Sequence, residues 1–525
     1  GMYMFKKKLS LLMATITIGS VLLGGASTVS AAPRHKHKTV SEKIKEAEKT
    51  QGDKKLTVMV YADCDNNLEE YILNDIEEMK EGYKNNPNLN IIVLVDRIPG
   101  YSNDSKVLGS NFEDTRLYKI GENSAERISG KSEFPEITTT SNYEANMGDA
   151  NTLKKFIKFC KKNYEADKYM LIMSNHGGGA KDDKDRASTV NKAICWDDSN
   201  NKDCLYTGEI SDVLTKDESV DVLVFDACLM GNSEVAYQYR PNNGSFEAKT
   251  LVASAPVVWG FGYPYDKIFS RLRSTKGDNG EVDSTLGGKE KIFDPSLVTN
   301  NELGALFVEE QRDSVNSCGV TDQQLSCYDL SKIEKVKKSV DALARNLSKN
   351  NKKDAIESLR GTGKNVPTMH YFKAHDEYEW IEYPYFDLYD LCEKISLSDE
   401  FNETTKKLSK NVMKNVDQLI LYSFGGKEFK NFKEGKNGIS IFLPDGNRDY
   451  YDPYSGQAIP HWAIQRWYNP LDTNAYRLRS GYGKLAWCKD GLDPKINKVG
   501  NWFELLDSWF DKDNTSLGGY NRYRY

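Results

Sequence analysis

Two side chains in this chain carry chemistry in a setting that could use it, His176 and Cys228. Each follows at once on a short apolar run. Residues 168–174 (KYMLIMS) lead into Asn175, His176 and three glycines, and residues 220–225 (VDVLVF) lead into Asp226, Ala227 and Cys228. A thiolate is a nucleophile and an imidazole can give or take a proton near neutrality, so the pair could attack an electrophilic centre and handle the proton that follows. The glycines after His176 let the backbone approach a substrate closely, in a turn whose N–H groups can point into a cleft.

The other histidines and cysteines have plainer contexts. His35 and His37 lie near the amino terminus, His370 and His375 in a polar stretch, and His461 between Pro460 and Trp462. Cys160 falls on an apolar helical face and Cys392 sits among Leu388, Tyr389 and Leu391, so both read as core. Cys64, at the end of the first apolar run, is a weaker competitor to Cys228. Nine cysteines is an odd number, so at least one thiol has no partner within the chain. No C-x-x-C pair occurs, which removes zinc-ribbon and thioredoxin-type readings. Cys195-Trp196 is similar to the cysteine of papain-like enzymes, but Ala193 and Ile194 precede it in place of the expected approach. The HGGG string is similar to an esterase oxyanion loop, yet no G-x-S-x-G elbow accompanies it.

The elements that must position His176 and Cys228 are strands of a parallel sheet. Residues 56–61 (LTVMVY) form an apolar run, residues 68–79 have helical spacing, and residues 89–95 (LNIIVLV) form a second run, giving a β-α-β opening. Residues 100–148 are polar with one strand expected at 115–120, and Asp149 can cap a helix over 152–164. A fifth strand is expected at 250–255. In an open parallel sheet the ligand crevice lies beyond the carboxyl ends of the strands, where His176 and Cys228 both fall. Beyond about residue 295 the pattern changes to longer helices (303–312, 333–346, 403–422) and one strand at 438–443, read as a second α+β region packed on the first.

The first residues stand outside this fold. Gly1 precedes what reads as the natural initiator, Met2. Three lysines, an apolar run over 9–23 and the small residues Val29, Ser30 and Ala31 then form a signal peptide, with cleavage expected after Ala31. Residues 32–54 are charged, lack a core pattern and read as a pro-segment. The chain carries 71 Lys+Arg against 77 Asp+Glu, a net charge of −6, but the first fifty residues are strongly basic and the remainder stands at −12. An acidic body argues against nucleic acid or a membrane as partner, and suits cationic substrates or metal cations.

Strand-His-Gly followed after some fifty residues by strand-Asp-Ala-Cys is far more specific than either half. In this block the chain resembles the caspase-like cysteine peptidases and, over nearly its whole length, their clostripain family. The matching strings are VMVYAD (58–63), DNNL (65–68), YEANMGD (143–149), NHGGG (175–179), AICWDDS (193–199), FDACLMG (225–231) and GNWFELLD (500–507). The resemblance implies an α/β/α sandwich around a mostly parallel sheet at 55–295, with the C-terminal α+β region (296–525) packed on it. It implies Cys228 as nucleophile, His176 as proton donor to the leaving amine, and the N–H groups of Gly177 and Cys228 as an oxyanion hole.

The same resemblance implies a secreted endopeptidase that cuts proteins and peptides after Arg, less readily after Lys, through a thioester. Asp226 matches the family position that binds the P1 side chain, the residue on the amino side of the cut. A carboxylate there can engage a guanidinium bidentately, whereas lysine offers a point charge. No second acid lies in 256–263, which leaves Asp266 as the nearest. Self-cleavage is implied too. The charged stretch 181–192 would be cut after Lys181 and Lys192, with Arg186 as an alternative, giving a light chain (about 55–181) and a heavy chain from 193 that stay associated. Calcium dependence is implied, and Asp63, Asp65, Asp197 and Asp198 offer oxygen ligands without an EF-hand's spacing. An unpaired nucleophile calls for reducing conditions. The alternative from another class is an exported, non-catalytic binding protein on a caspase-like scaffold.

Overall fold

The structure is a computed structural model and describes residues 55–64, 68–174, 194–197, 203–205, 207–256, 258, 262–274, 281–283, 289–361, 365–371, 384–444, 450–451, 458–459, 482–495 and 497–510. The signal peptide, the pro-segment, His35, His37, Asp65, His176, Gly177, the stretch 181–192, Asp198, His375 and His461 lie outside these residues.

The opening β-α-β unit is present as β1 (Leu56–Cys64), α1 (Glu69–Gly82) and β2 (Leu89–Arg97), with β1 and β2 paired in parallel. The polar stretch that follows yields two strands, β3 (Thr115–Gly121) and β4 (Ser124–Ile128), which continue the sheet antiparallel beyond β2. Asp149 caps α2 (Ala150–Asn163), accepting the Asn151 N–H at 2.9 Å. Then come β5 (Lys168–Ser174), β6 (Ile194–Asp197), β7 (Asp203–Leu205), α3 (Thr207–Val213), β8 (Val220–Asp226), α4 (Ser233–Gln238), β9 (Ala248–Ala253) and α5 (Tyr265–Ser270). A small hairpin, β10 (Glu281–Asp283) with β11 (Lys289–Lys291), precedes α6 (Asn300–Ser317).

The nine-stranded sheet has the order β14-β12-β9-β8-β5-β1-β2-β3-β4, where β12 is Gln324–Asp329 and β14 is Ile420–Gly425. Its five central strands are mutually parallel, and an antiparallel pair extends each edge. The region after residue 295 therefore adds β12 and β14 to the same sheet as well as packing helices on it. The helical spacing read over 403–422 divides into α10 (Glu403–Leu419) and β14. The strand expected at 438–443 is β15 (Ser440–Phe442), paired with β13 (Tyr385–Asp387) apart from the main sheet.

Period-two alternation sends successive side chains to opposite faces of the sheet, and each face has its own core. On one face Met59, Tyr61, Leu223 and Phe225 pack with Leu153, Phe156, Val340 and Trp502 of α2, α7 (Ile333–Lys349) and α12 (Trp502–Phe510). The same layer holds α8 (Lys353–Arg360), α9 (Leu388–Leu397), α10 and α11 (Ala486–Lys489). On the other face Val58, Val60, Val222 and Val224 pack with α1, α5 and α6. The result is a three-layer α/β/α sandwich of the caspase-like kind. No helix among the described residues is long and apolar enough to cross a membrane.

Candidate active site

Strand β8 delivers Asp226 and Cys228 to the carboxyl edge of the sheet. The chain then turns sharply, and Leu229 takes the left-handed conformation (φ 61°), an uncommon state for a branched side chain that its surroundings must enforce. They do so through named contacts. The Leu229 N–H donates to Pro256 O at 3.0 Å and the Gly231 N–H to Ser254 O at 2.8 Å, tying the turn to the end of β9. The buried Asn232 side chain donates to Leu229 O at 2.9 Å and accepts the Val235 N–H at 2.8 Å, so one residue closes the turn and caps α4. A Cβ at Gly231 would come within 2.6 Å of the Ala255 nitrogen, so glycine is required for this close approach.

The C-terminal region holds the turn from the other side. Ser440 donates its N–H to Gly231 O at 3.0 Å, and the Ser233 hydroxyl donates to Ser440 O at 2.9 Å. Glu234 is buried and accepts from the Phe442 N–H at 3.1 Å and the Tyr482 hydroxyl at 2.8 Å. Burial pushes its carboxyl up to about 7.

Cys228 is partly exposed, and the Val258 N–H donates to its sulfur at 3.2 Å. The thiol in turn donates to Val258 O at 3.6 Å, so one backbone residue meets the sulfur both as donor and as acceptor. Cys64, Cys160, Cys327, Cys392 and Cys488 are buried, and burial raises every one of these thiols above its ordinary range, which makes them inert. Cys318, also partly exposed, lies beyond the end of α6. Cys64, Cys160, Cys228, Cys318, Cys327, Cys392 and Cys488 are free thiols, in no disulfide. His370 packs its ring against Phe386 with centroids 4.9 Å apart, a core contact.

Asp226 is buried and projects toward the α1–α5 face. Its Oδ2 accepts the Tyr265 hydroxyl at 2.7 Å, while Tyr263 donates to Phe225 O at 2.6 Å. Burial, followed by the charges of Asp226 and Asp75, raises the Tyr265 phenol well above its ordinary range, which keeps it a donor. The structure does not bring Asp266 to this place. Its backbone lies against Gly82 at the far end of α1, and its charge helps raise the carboxyl of Glu81, behind desolvation as the larger cause. The acid that does approach is Asp75, on the buried face of α1 with Ile72, Ile76 and Met79. The sequence carried a signal for it, a carboxylate inside the apolar stripe of an amphipathic helix.

Of the calcium candidates, Asp63 is buried at the end of β1 beside Asp96, its register partner on β2. Asp197 ends β6, and its side chain lies outside the description. Among the described residues no group of three or more His, Cys, Asp or Glu side chains is placed to hold a metal ion.

A partly exposed cysteine at the carboxyl end of a central parallel strand, set in a three-layer sandwich, is the arrangement expected of a caspase-like cysteine peptidase. The chain belongs to the Clostripain family, Peptidase C11, whose model matches residues 60–509, and it is a cysteine endopeptidase. It is 58% identical to Clostripain from Hathewaya histolytica over 531 residues, 99% of this chain and 100% of that protein. Among solved structures it is similar to a secreted C11 cysteine protease from Bacteroides thetaiotaomicron in complex with an irreversible peptide inhibitor. That match has 16% identity and a TM-score of 0.48, over 76% of this chain and 94% of the other. An inactive zymogen C11 protease from Parabacteroides distasonis matches at 16% identity and a TM-score of 0.48, over 83% and 97%.

Proposed function

We propose that the chain is a secreted endopeptidase that cuts proteins and peptides after Arg, and less well after Lys, with Cys228 as nucleophile and His176 as its proton-transfer partner. The observation that carries this reading is the pairing of a partly exposed thiol with a buried carboxylate two residues before it, on one turn held from both sides. The Cys228 thiolate attacks the scissile carbonyl carbon, and the N–H groups of Gly177 and Cys228 receive the charge that develops on its oxygen. Collapse breaks the C–N bond, His176 gives a proton to the leaving amine, and a thioester remains. Water then hydrolyses the thioester and the thiol is restored. Asp226 receives the P1 cation.

Self-cleavage after Lys181 and Lys192, or after Arg186, belongs to the same reading and would leave a light and a heavy chain associated. Secretion through the signal peptide and calcium dependence also belong to it, both resting on the sequence and its resemblance to the family. The test is to express the full chain and Cys228→Ala without added protease, then incubate with calcium and reductant. Two chains on a reducing gel and turnover of arginyl peptides are expected for the first alone, and chelation should stop both. A single inert chain from the unsubstituted protein overturns the peptidase assignment. Cleavage of the Ala form assigns maturation to an outside protease.

A further inference from the structure

Two buried carboxylates converge beside the nucleophile turn. A Cβ built on Gly262 would lie 2.8 Å from Oδ2 of Asp226 and 2.8 Å from Oδ2 of Asp75, with Oδ1 of Asp75 at 3.2 Å. Gly262 has φ +60°, and its bare Cα is what lets the two acids approach the same wall. Asp75 is 3% and Asp226 6% exposed, and they come from elements far apart in the chain, α1 and the end of β8. Tyr265 closes the group through its hydrogen bond to Asp226, and Tyr263 beside it is anchored on Phe225.

We propose that Asp75 is a second specificity-determining carboxylate of the P1 pocket, sharing the substrate's cation with Asp226. This rests on the reading of Asp226 as the P1 ligand and names a partner for it that the loop after Ala255 does not supply. Like charges this close disfavour joint ionisation unless a cation or a proton is held with them. A guanidinium meets that demand well. One edge of its fork is taken bidentately by one carboxylate, and N–H donors remain for a second. The lysine ammonium brings charge but no planar fork, so a two-carboxylate pocket favours Arg over Lys. Both acids stand on regular elements of the sandwich, which gives the pocket fixed walls.

The test uses the full chain matured with calcium and reductant. Asp75→Asn and Asp226→Asn are assayed on peptides differing at P1 as Arg, Lys or citrulline, the neutral isostere of Arg, and the rate of Cys228 alkylation by iodoacetamide is followed in parallel. The expected result for Asp75→Asn is a fall of tenfold or more in kcat/KM for Arg and Lys, with citrulline cleavage and alkylation unchanged. If Asp226→Asn loses Arg cleavage while Asp75→Asn keeps it, the role of Asp75 is overturned and the P1 reading stands. If Asp226→Asn also keeps it, the P1 reading itself fails. Equal losses on Arg and citrulline together with slowed alkylation make Asp75 structural and overturn the proposal. Should Asp75→Asn not fold, Asp75→Glu keeps the charge and moves it by one methylene. A changed Arg-to-Lys ratio is then expected, and an unchanged ratio overturns the proposal.

Discussion

Tyr265 donates its hydroxyl to Asp226 at 2.7 Å from the first residue of α5, while its neighbour Asp266 faces the opposite end of α1. Adjacent residues on a helix point about a quarter-turn apart, so one position decides which of them reaches the carboxylate. Replacing Tyr265 by Phe removes the donor and leaves Asp226 buried with one partner fewer. Hydrogen bonds to charged groups contribute about 1.5–3 kcal/mol, so kcat/KM for arginyl peptides should fall by roughly tenfold to a hundredfold. The loss should lie mainly in KM, measured by steady-state kinetics; an unchanged KM would remove Tyr265 from the pocket.

The turn that carries Cys228 depends on the missing side chain of Gly231. Its Cβ would meet the backbone of Ser254 and Ala255 at 2.7 and 2.6 Å, atoms that cannot swing aside. Gly231→Ala should cost about 1–3 kcal/mol and lower the melting temperature by several degrees. It should also slow iodoacetamide labelling of Cys228, because the hydrogen bond from Gly231 to Ser254 sets the turn. A variant that melts and labels like the parent would contradict this account.

Glu234 gives the fold a pH dependence whose sign can be stated. Its carboxyl stands at about 7 in the folded protein against an ordinary 4.5, so the folded state holds the proton more tightly. The protein therefore loses stability as pH rises from about 4.5 to 7, and the loss is complete above that window. Glu234→Gln keeps an acceptor for Phe442 and Tyr482 and carries no charge. In a Cys228→Ala background, which prevents self-digestion, its melting temperature should match the parent's near pH 4.5 and exceed it by pH 8. Parallel curves for the two proteins would show that Glu234 does not titrate this way.

Much of the site was legible because strand ends and turns announce themselves locally. Apolar runs stopping at Ser174 and Asp226 mark the ends of β5 and β8 where the structure has them, and Asp149 caps α2 as its side chain suggests. The turn at Cys228 follows from the strand before it. What escaped depends on contacts distant in sequence. The residues of β14 continue a helical spacing, and pairing with β12 turns them into a strand. Asp75 lies more than 150 residues before Asp226, and the packing of α1 and α5 on the sheet unites them. Asp266 is the nearest acid along the chain after residue 256, but the approach to Asp226 runs across the fold, from α1.

The middle of the sheet sets the fate of a cut chain. Strands β5 and β8 are neighbours, paired in parallel from Met170 with Val222 to Ser174 with Asp226. Every peptide bond between residues 175 and 193 falls between those two strands in sequence. A break there leaves β1 to β5 on one piece and β8, β9, β12 and β14 on the other, with the seam running down the centre of a single hydrogen-bonded sheet. Both cores draw on residues from either side of the break, so separating the pieces would expose both to water.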